Sequence, residues 1–410
     1  MNTLLQVLYV LFVILQAVIA FYLLQPTLLL VVYAIKKVLG LSKPEVNAAA
    51  IQEGTPRSFA AIITAHKSLS LVPPLVDSLL KQHYDNYVIY IVADACEDEP
   101  LTYDHPKVKL LRPTTRLNAK IRSIDFAINN FIQPHDVLVI FDSDNLAHPD
   151  YLSVLNHYFN QGHRAVQTNL QPKNTDTLYA RLDAAGNLYN NFSDRLMRKE
   201  LGLSSNIWGL GIAMETSLYR EIIYQHFLGG FDKKIQADIV KKIPLLAYAP
   251  EAMVYDEKID NGAALEKQRT RWINAYFKYF KYGWDVLATG LGRPSFNLVY
   301  FGINLLRPPL FILLAAAFFL AAVNVFISLA MTGFWLGVVL TFVVSFFLIV
   351  LLMQREKKIF SSLFYLPFFV LRQVKALLKI KAASKSFLQT ENNKVLYIED
   401  ILNKQPLPKI

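Results

Sequence analysis

Val137-Leu138-Val139-Ile140-Phe141-Asp142-Ser143-Asp144 decides the reading of the fold. Five consecutive apolar residues, three of them β-branched, fit a short strand buried on both faces. Asp142 and Asp144 then stand at its exposed carboxyl end. The same design recurs on either side. Ser58–Ala65 reads as a strand ending at His66, Tyr87–Ala93 as a strand ending at Asp94, and Lys107–Leu111 and Ala165–Thr168 as shorter ones. Between them Leu69–Gln82, Leu117–Phe131 and Tyr151–Phe159 fit helices; Ile121, Ile124, Ala127, Ile128 and Phe131 line one face of the second. Strands alternating with helices predict an α/β domain on a parallel sheet covered on both faces. Ligands of such sheets bind beyond the carboxyl ends of the strands. His66, Asp94, Asp142 and Asp144 all fall there and predict one shared site.

Outside this domain the composition changes. The chain is 53% apolar and only 18% charged, and the apolar residues are concentrated. Residues 1–35 and 308–354 carry no charged side chain. About 20 apolar residues cross a bilayer. Leu4–Ile35 predicts one span, an uncleaved anchor rather than a signal peptide, because no basic segment precedes the long run and no cleavage site is evident. Pro308–Leu329 and Phe334–Met353 predict two more, joined at Thr332-Gly333. Lys36, Lys37 and Lys43 follow the first span, Arg307 precedes the second, and Arg355, Lys357 and Lys358 follow the third. The positive-inside rule then puts the α/β domain in the cytoplasm. Residues 266–295 and Leu363–Lys379 read as amphipathic interfacial segments rich in aromatic and basic residues.

The net charge of +10 fits lysines facing anionic membrane lipid, and no nucleic-acid motif accompanies it. A single cysteine, Cys96, excludes an internal disulfide and a cysteine-based zinc cluster.

Each chemical feature has two readings. Asp142-x-Asp144 could hold Mg²⁺ or Mn²⁺ with help from phosphate oxygens; Asp-Ser-Asp-Asn is equally a turn and helix cap. Asp94 could accept a hydrogen bond from a nucleotide base, or close a turn. Lys120 could meet a phosphate, or be solvated. Gly209-Leu210-Gly211 permits close approach of a sugar, or makes a tight turn. Asp232, after Gly229-Gly230-Phe231, could be a general base for an acceptor hydroxyl, or an N-cap. Asp238, mid-helix, reads as a surface charge. In Gln268-Arg269-Thr270-Arg271-Trp272, Arg271 suits phosphate and Trp272 a sugar ring, unless the pair is a bilayer anchor.

In their order these motifs resemble the membrane-integrated family 2 glycosyltransferases: the cellulose, chitin, hyaluronan and poly-N-acetylglucosamine synthases. The resemblance runs from about Phe59 to Tyr282, with flanking spans of the same pattern. It implies a GT-A-type nucleotide-sugar-binding domain with transmembrane helices at both ends. His66 would close the opening strand, Asp94 would bind the base, Lys120 in Asn118-Ala119-Lys120 the diphosphate, and Asp142-Ser143-Asp144 would be the Asp-x-Asp with Asp144 on the metal. Asp232 would be the catalytic base, and Gln268, Arg271 and Trp272 would complete the donor and acceptor site. Tyr248-Ala249-Pro250-Glu251-Ala252 fits the stretch between. The chain departs from the pattern at Phe231, where the family has Glu, at Ile121-Arg122, where it has Gly, and at Glu215-Thr216, where it has a basic pair.

The reading is therefore an anchor (1–39), a cytoplasmic GT-A domain (45–265), an interfacial region with the Gln-x-x-Arg-Trp motif (266–295), two spans (308–353) and an amphipathic helix with a tail (359–410). The expected activity is inverting transfer from a UDP-sugar, with Mg²⁺ or Mn²⁺, onto a growing β-linked polysaccharide at the cell inner membrane. Three spans are few for a channel, so a helper subunit or a second copy is an expected partner. The alternatives are transfer of one sugar to a lipid acceptor, or a non-catalytic scaffold of an export complex.

Overall fold

The computed structural model describes residues 3–43, 46, 51, 54–97, 99–222, 231–354, 356–368, 370 and 394–403. Gly229-Gly230 and most of the amphipathic helix read at Leu363–Lys379 lie outside them.

An eight-stranded sheet forms the centre of the soluble part. Its strands are β1 (Phe59–His66), β2 (Tyr87–Asp94), β3 (Val108–Leu111), β4 (Val137–Asp142), β5 (Leu146–Ala147), β6 (Ala165–Pro172), β7 (Ile212–Glu215) and β8 (Ala247–Asp256). Their order is β3-β2-β1-β4-β7-β6-β8-β5. The first four are parallel, and the register pairs His66 with Asp94 and Thr64 with Asp142, so the polar strand ends stand level. Beyond β4 the all-parallel expectation fails. β7 runs antiparallel to both β4 and β6, and β5 antiparallel to β8. β5 follows β4 after only three residues, too few for the crossover that parallel pairing needs, and β7, reached from β6 through the helical stretch 178–201, enters in the opposite direction.

Alternate residues of the continuous apolar strands feed two cores. Phe59, Ala61 and Ile63 pack with Leu75, Leu79 and Leu155 on one face. Ala60, Ile62 and Tyr90 pack with Ile121, Ile124 and Leu218 on the other. The helices behind these contacts are α2 (Val72–Leu80), α3 (Lys120–Asn129) and α4 (Tyr151–Asn160), close to their sequence-read limits.

Among the described residues two helices are long and apolar enough to cross a membrane: α1 (Thr3–Val38) and a C-terminal helix, Leu329–Met353. Among the same residues Phe296–Leu306 and Leu310–Asn324, bent by 73° at Arg307-Pro308-Pro309, make a third crossing if they act as one broken span. The turn before Leu329–Met353 lies at Val325–Ser328, not at Thr332-Gly333. Ser328 caps the helix by accepting from the Met331 amide, and Thr332 lies inside it, donating to the Ala321 carbonyl at 3.3 Å. A serine N-cap starts a helix, whereas a single glycine costs only about 1 kcal/mol within one. The region read as one interfacial segment is also more structured. Gly262–Tyr279 and Lys281–Gly292 are separate helices, and the second packs on Phe296–Leu306 through glycines: a Cβ on Gly302 would sit 2.6 Å from the Leu287 amide nitrogen.

Candidate active site

The carboxyl ends of β1, β2 and β4 present His66, Asp94 and Asp142. Asp94 is buried and already engaged. One oxygen accepts from the Leu117 amide at 2.7 Å; the other accepts from the Asn118 amide and bonds His66 Nδ1, both at 2.9 Å. A carboxylate offers about four acceptor positions, and these bonds fill three of them. The bonds hold the segment before α3 against the strand ends, with Asn118 at φ 50° and Ala95 at φ 56°.

That segment delivers Lys120. Its ammonium donates to the Asp142 carboxylate and, at 2.7 Å, to the Gly209 carbonyl. Gly209 in turn lies against Asp232: a Cβ added there would meet the Asp232 Cβ at 3.8 Å. Asp232 occupies the first turn of the helix Phe231–Lys242. Arg271 is largely buried and faces both Asp142 and Asp232; burial holds its pKa down while the two carboxylates oppose that shift. Burial, and after it the Asp232 charge, pushes the Tyr279 hydroxyl up to about 12. Lys120, Asp142, Asp232 and Arg271 therefore gather at one place. Gln268 lies one turn before Arg271, and among the described residues its buried Oε1 has no hydrogen-bond partner.

Trp272 stands apart from this group. It is 42% exposed, with the Arg269 guanidinium 4.3 Å above its ring, and Arg269 pairs with Asp183. Asp238 is ion-paired to Lys234 at 2.7 Å and Lys241 at 3.6 Å. With a side chain only 12% exposed it is more enclosed than a surface charge.

Asp144 is buried, and its carboxyl is pushed up to about 8 by burial first, then by Asp256 and Asp142. Asp256, at the end of β8, is a site residue that sequence reading missed. The Asn145 side-chain Nδ2 donates, at 3.4 Å, to an oxygen of each of these two aspartates. Lys173 donates to the Asp144 carbonyl at 3.0 Å, and Lys258 to the Asp256 carboxylate at 2.9 Å. A signal was present: Asp256 closes the apolar run Ala252–Tyr255 as Asp142 closes Val137–Phe141.

Hard oxygen donors and a buried, charge-crowded carboxylate suit Mg²⁺ or Mn²⁺. Among the described residues no three His, Cys, Asp or Glu side chains converge as a complete metal cage.

The mixed α/β sheet, with carboxylates at its strand ends, has the GT-A fold. The model of "Glycosyltransferase like family 2" matches residues 56–275, more than half of the chain, and the chain belongs to this family. It is a glycosyltransferase that moves a sugar from a nucleotide sugar. Among solved structures it is similar to the mannosyltransferase PcManGT from Pyrobaculum calidifontis, in complex with GDP-Man and Mn²⁺, at 15% identity and a TM-score of 0.52; the match covers 90% of this chain and 99% of that one. S. aureus TarS 1-349 is matched at 12% identity and a TM-score of 0.40, over 80% of this chain and 91% of that one. No curated protein matches.

Proposed function

We propose that this enzyme transfers a sugar from a UDP-sugar, with inversion, to a growing β-linked polysaccharide at the cytoplasmic face of the inner membrane. The observation that carries the reading is the convergence of Lys120, Asp142, Arg271 and Asp232. The basic residues flanking the candidate spans support the orientation.

In this reading Asp94, braced by His66, offers its remaining acceptor position to the base. Lys120 and Arg271 meet the diphosphate and stabilise charge that grows on the leaving group. Asp144, joined by Asp256, would hold Mg²⁺ or Mn²⁺, which supplies Lewis-acid neutralisation of that same charge when bound. Asp232 takes the proton from the acceptor hydroxyl as it attacks the anomeric carbon. Arg271, facing Asp232, helps to orient that carboxylate. Gln268 offers its unpartnered Oε1 to a donor hydroxyl, and Trp272 a partly exposed indole face to the acceptor. A second copy or a helper subunit would complete a path across the bilayer.

The test is a donor screen with purified protein in nanodiscs, using UDP-sugars and GDP-mannose, with release of the nucleoside diphosphate as the readout. A UDP-sugar giving a long product open to β-specific hydrolases supports the reading. A product of one sugar on a lipid overturns the polymer part. No turnover with any donor overturns catalysis and leaves the scaffold.

A further inference from the structure

Buried side-chain atoms without hydrogen-bond partners collect at one place away from the catalytic carboxylates. Among the described residues Nε and Nη2 of Arg195 and Nε of Arg198 lack a hydrogen-bond partner, Nη2 of Arg198 has only a 3.5 Å ion pair to Asp194, and both side chains are fully buried. Each guanidinium is only partly anchored, Arg195 on Asn191 at 2.8 Å and Arg198 on Asn206 at 2.8 Å and the Ser204 carbonyl at 3.2 Å. Arg307 adds a third cation. Asp194 is the carboxylate facing all three, at 2.7 Å from Arg307 and 3.5 Å from Arg198. Three guanidinium groups against one carboxylate leave about two positive charges uncompensated inside the protein. Buried charge is otherwise paired, and an orphaned donor calls for a bound group.

The surroundings say what that group is. Arg195 and Asp194 lie on a π-helical turn, Phe192–Leu196, a local widening common at functional sites. Arg307 is the outermost member, with a 20% exposed side chain. It sits at the Arg307-Pro308-Pro309 bend of the broken candidate span. Arg198 lies 5.5 and 5.4 Å from the ring centres of Tyr300 and Phe301, in the first half of that span. On the inner side Arg195 stacks at 4.3 Å on Trp208, the neighbour of the glycine that receives Lys120. The cluster therefore runs from an apolar helix bend to the catalytic loop. A forked guanidinium suits phosphate, and one phosphate matches the surplus charge.

We infer that Arg195, Arg198 and Arg307 form a binding site for the phosphate of an anionic membrane lipid, entered at the bend beside Arg307. Asp194 occupies the site as an internal counter-ion when no lipid is bound. The catalytic loop thereby becomes sensitive to lipid, whatever sugar is transferred.

The test reads binding, not turnover, so its failure is separate from failure of the transferase reading. Delipidated protein in neutral detergent is titrated with phosphatidic acid, phosphatidylcholine or inorganic phosphate. Thermal unfolding is followed, and retained lipid is counted by native mass spectrometry. Phosphatidic acid raises Tm and one molecule is retained, while phosphatidylcholine and inorganic phosphate do little. Arg307→Gln weakens phosphatidic acid binding about tenfold, as loss of one charged hydrogen-bond partner does. Asp194→Asn removes the internal competitor and tightens binding several-fold; a cluster that is only structural loses stability with no such gain. Equal stabilisation by inorganic phosphate overturns the lipid assignment. An Arg307→Gln protein that binds phosphatidic acid like the wild type, or an Asp194→Asn protein that folds and shows no gain, overturns the site.

Discussion

Lys120 donates to the carbonyl of Gly209 at 2.7 Å, across 89 residues of sequence. The bond joins the first turn of α3 to the loop that precedes β7, and the same ammonium pairs with Asp142. One side chain thus ties the strand-end aspartate to the loop that backs Asp232.

Lys120→Met removes both roles while keeping the length of the side chain. Hydrogen bonds to charged groups contribute about 1.5–3 kcal/mol, so KM for the donor rises about ten- to hundredfold. Competition by free UDP weakens in parallel. Steady-state kinetics checks this; an unchanged donor KM removes Lys120 from the diphosphate site.

Asp232 and Asp238 separate the base from its neighbour on the same helix. Loss of a general base costs ~10²–10⁴ in rate, so Asp232→Asn nearly silences transfer while UDP still binds. Asp238 serves ion pairs with Lys234 and Lys241, and its Asn variant loses stability with turnover intact. The reverse pattern of activities moves the base six residues along the chain.

The aspartates of this site were legible to unequal degrees. Asp142 and Asp144 follow an uninterrupted apolar run, and a strand buried on both faces announces its own end. Asp256 follows a run broken by Pro250 and Glu251, and the β6–β8 pairing shifts register at Thr168/Asn169, so periodicity fades before the carboxylate is reached. β7 is four residues long and carries no sign of its direction. At Val325–Ser328 the chain turns within an apolar stretch, where only the Ser328 cap marks the break. Nothing in the sequence around Arg195 and Arg198 marks their burial, which comes from tertiary packing.

Metal binding is coupled to protons at Asp144. Its pKa in the folded, metal-free protein is raised from 3.8 to about 8, by burial and then by Asp256 and Asp142. A raised folded-state value contributes stability that is present below the unfolded value and lost as pH rises through the folded one. Chelator-treated protein therefore loses thermal stability between about pH 4 and pH 8. Mn²⁺ takes the ionised form, so binding at pH 7 releases close to one proton and tightens toward pH 8. Calorimetry in two buffers of different ionisation enthalpy measures the release. Asp256→Asn diminishes it by removing the second-largest cause, and Asp144→Asn abolishes metal-dependent UDP binding. Proton-neutral binding in the wild-type protein contradicts the assignment.

The orientation proposed from the basic flanks is open to chemical labelling at the turn as the structure places it. Phe326, at the centre of Val325–Ser328, is 92% exposed and joins two apolar helices. Native Cys96 is buried, so a cysteine introduced elsewhere reports without a competing thiol. Ile132, 56% exposed on the α/β domain, serves as the opposite marker. Both positions are surface side chains, where substitutions usually change stability by no more than about 0.5 kcal/mol. In intact cells a membrane-impermeant maleimide labels Phe326→Cys and spares Ile132→Cys, which reacts only after permeabilisation. Labelling of Ile132→Cys alone in intact cells inverts the topology and places the donor site on the side opposite to the cytoplasm. That result also removes the lysines and arginines flanking the spans as evidence for orientation, because the positive-inside rule counts them only on the cytoplasmic face.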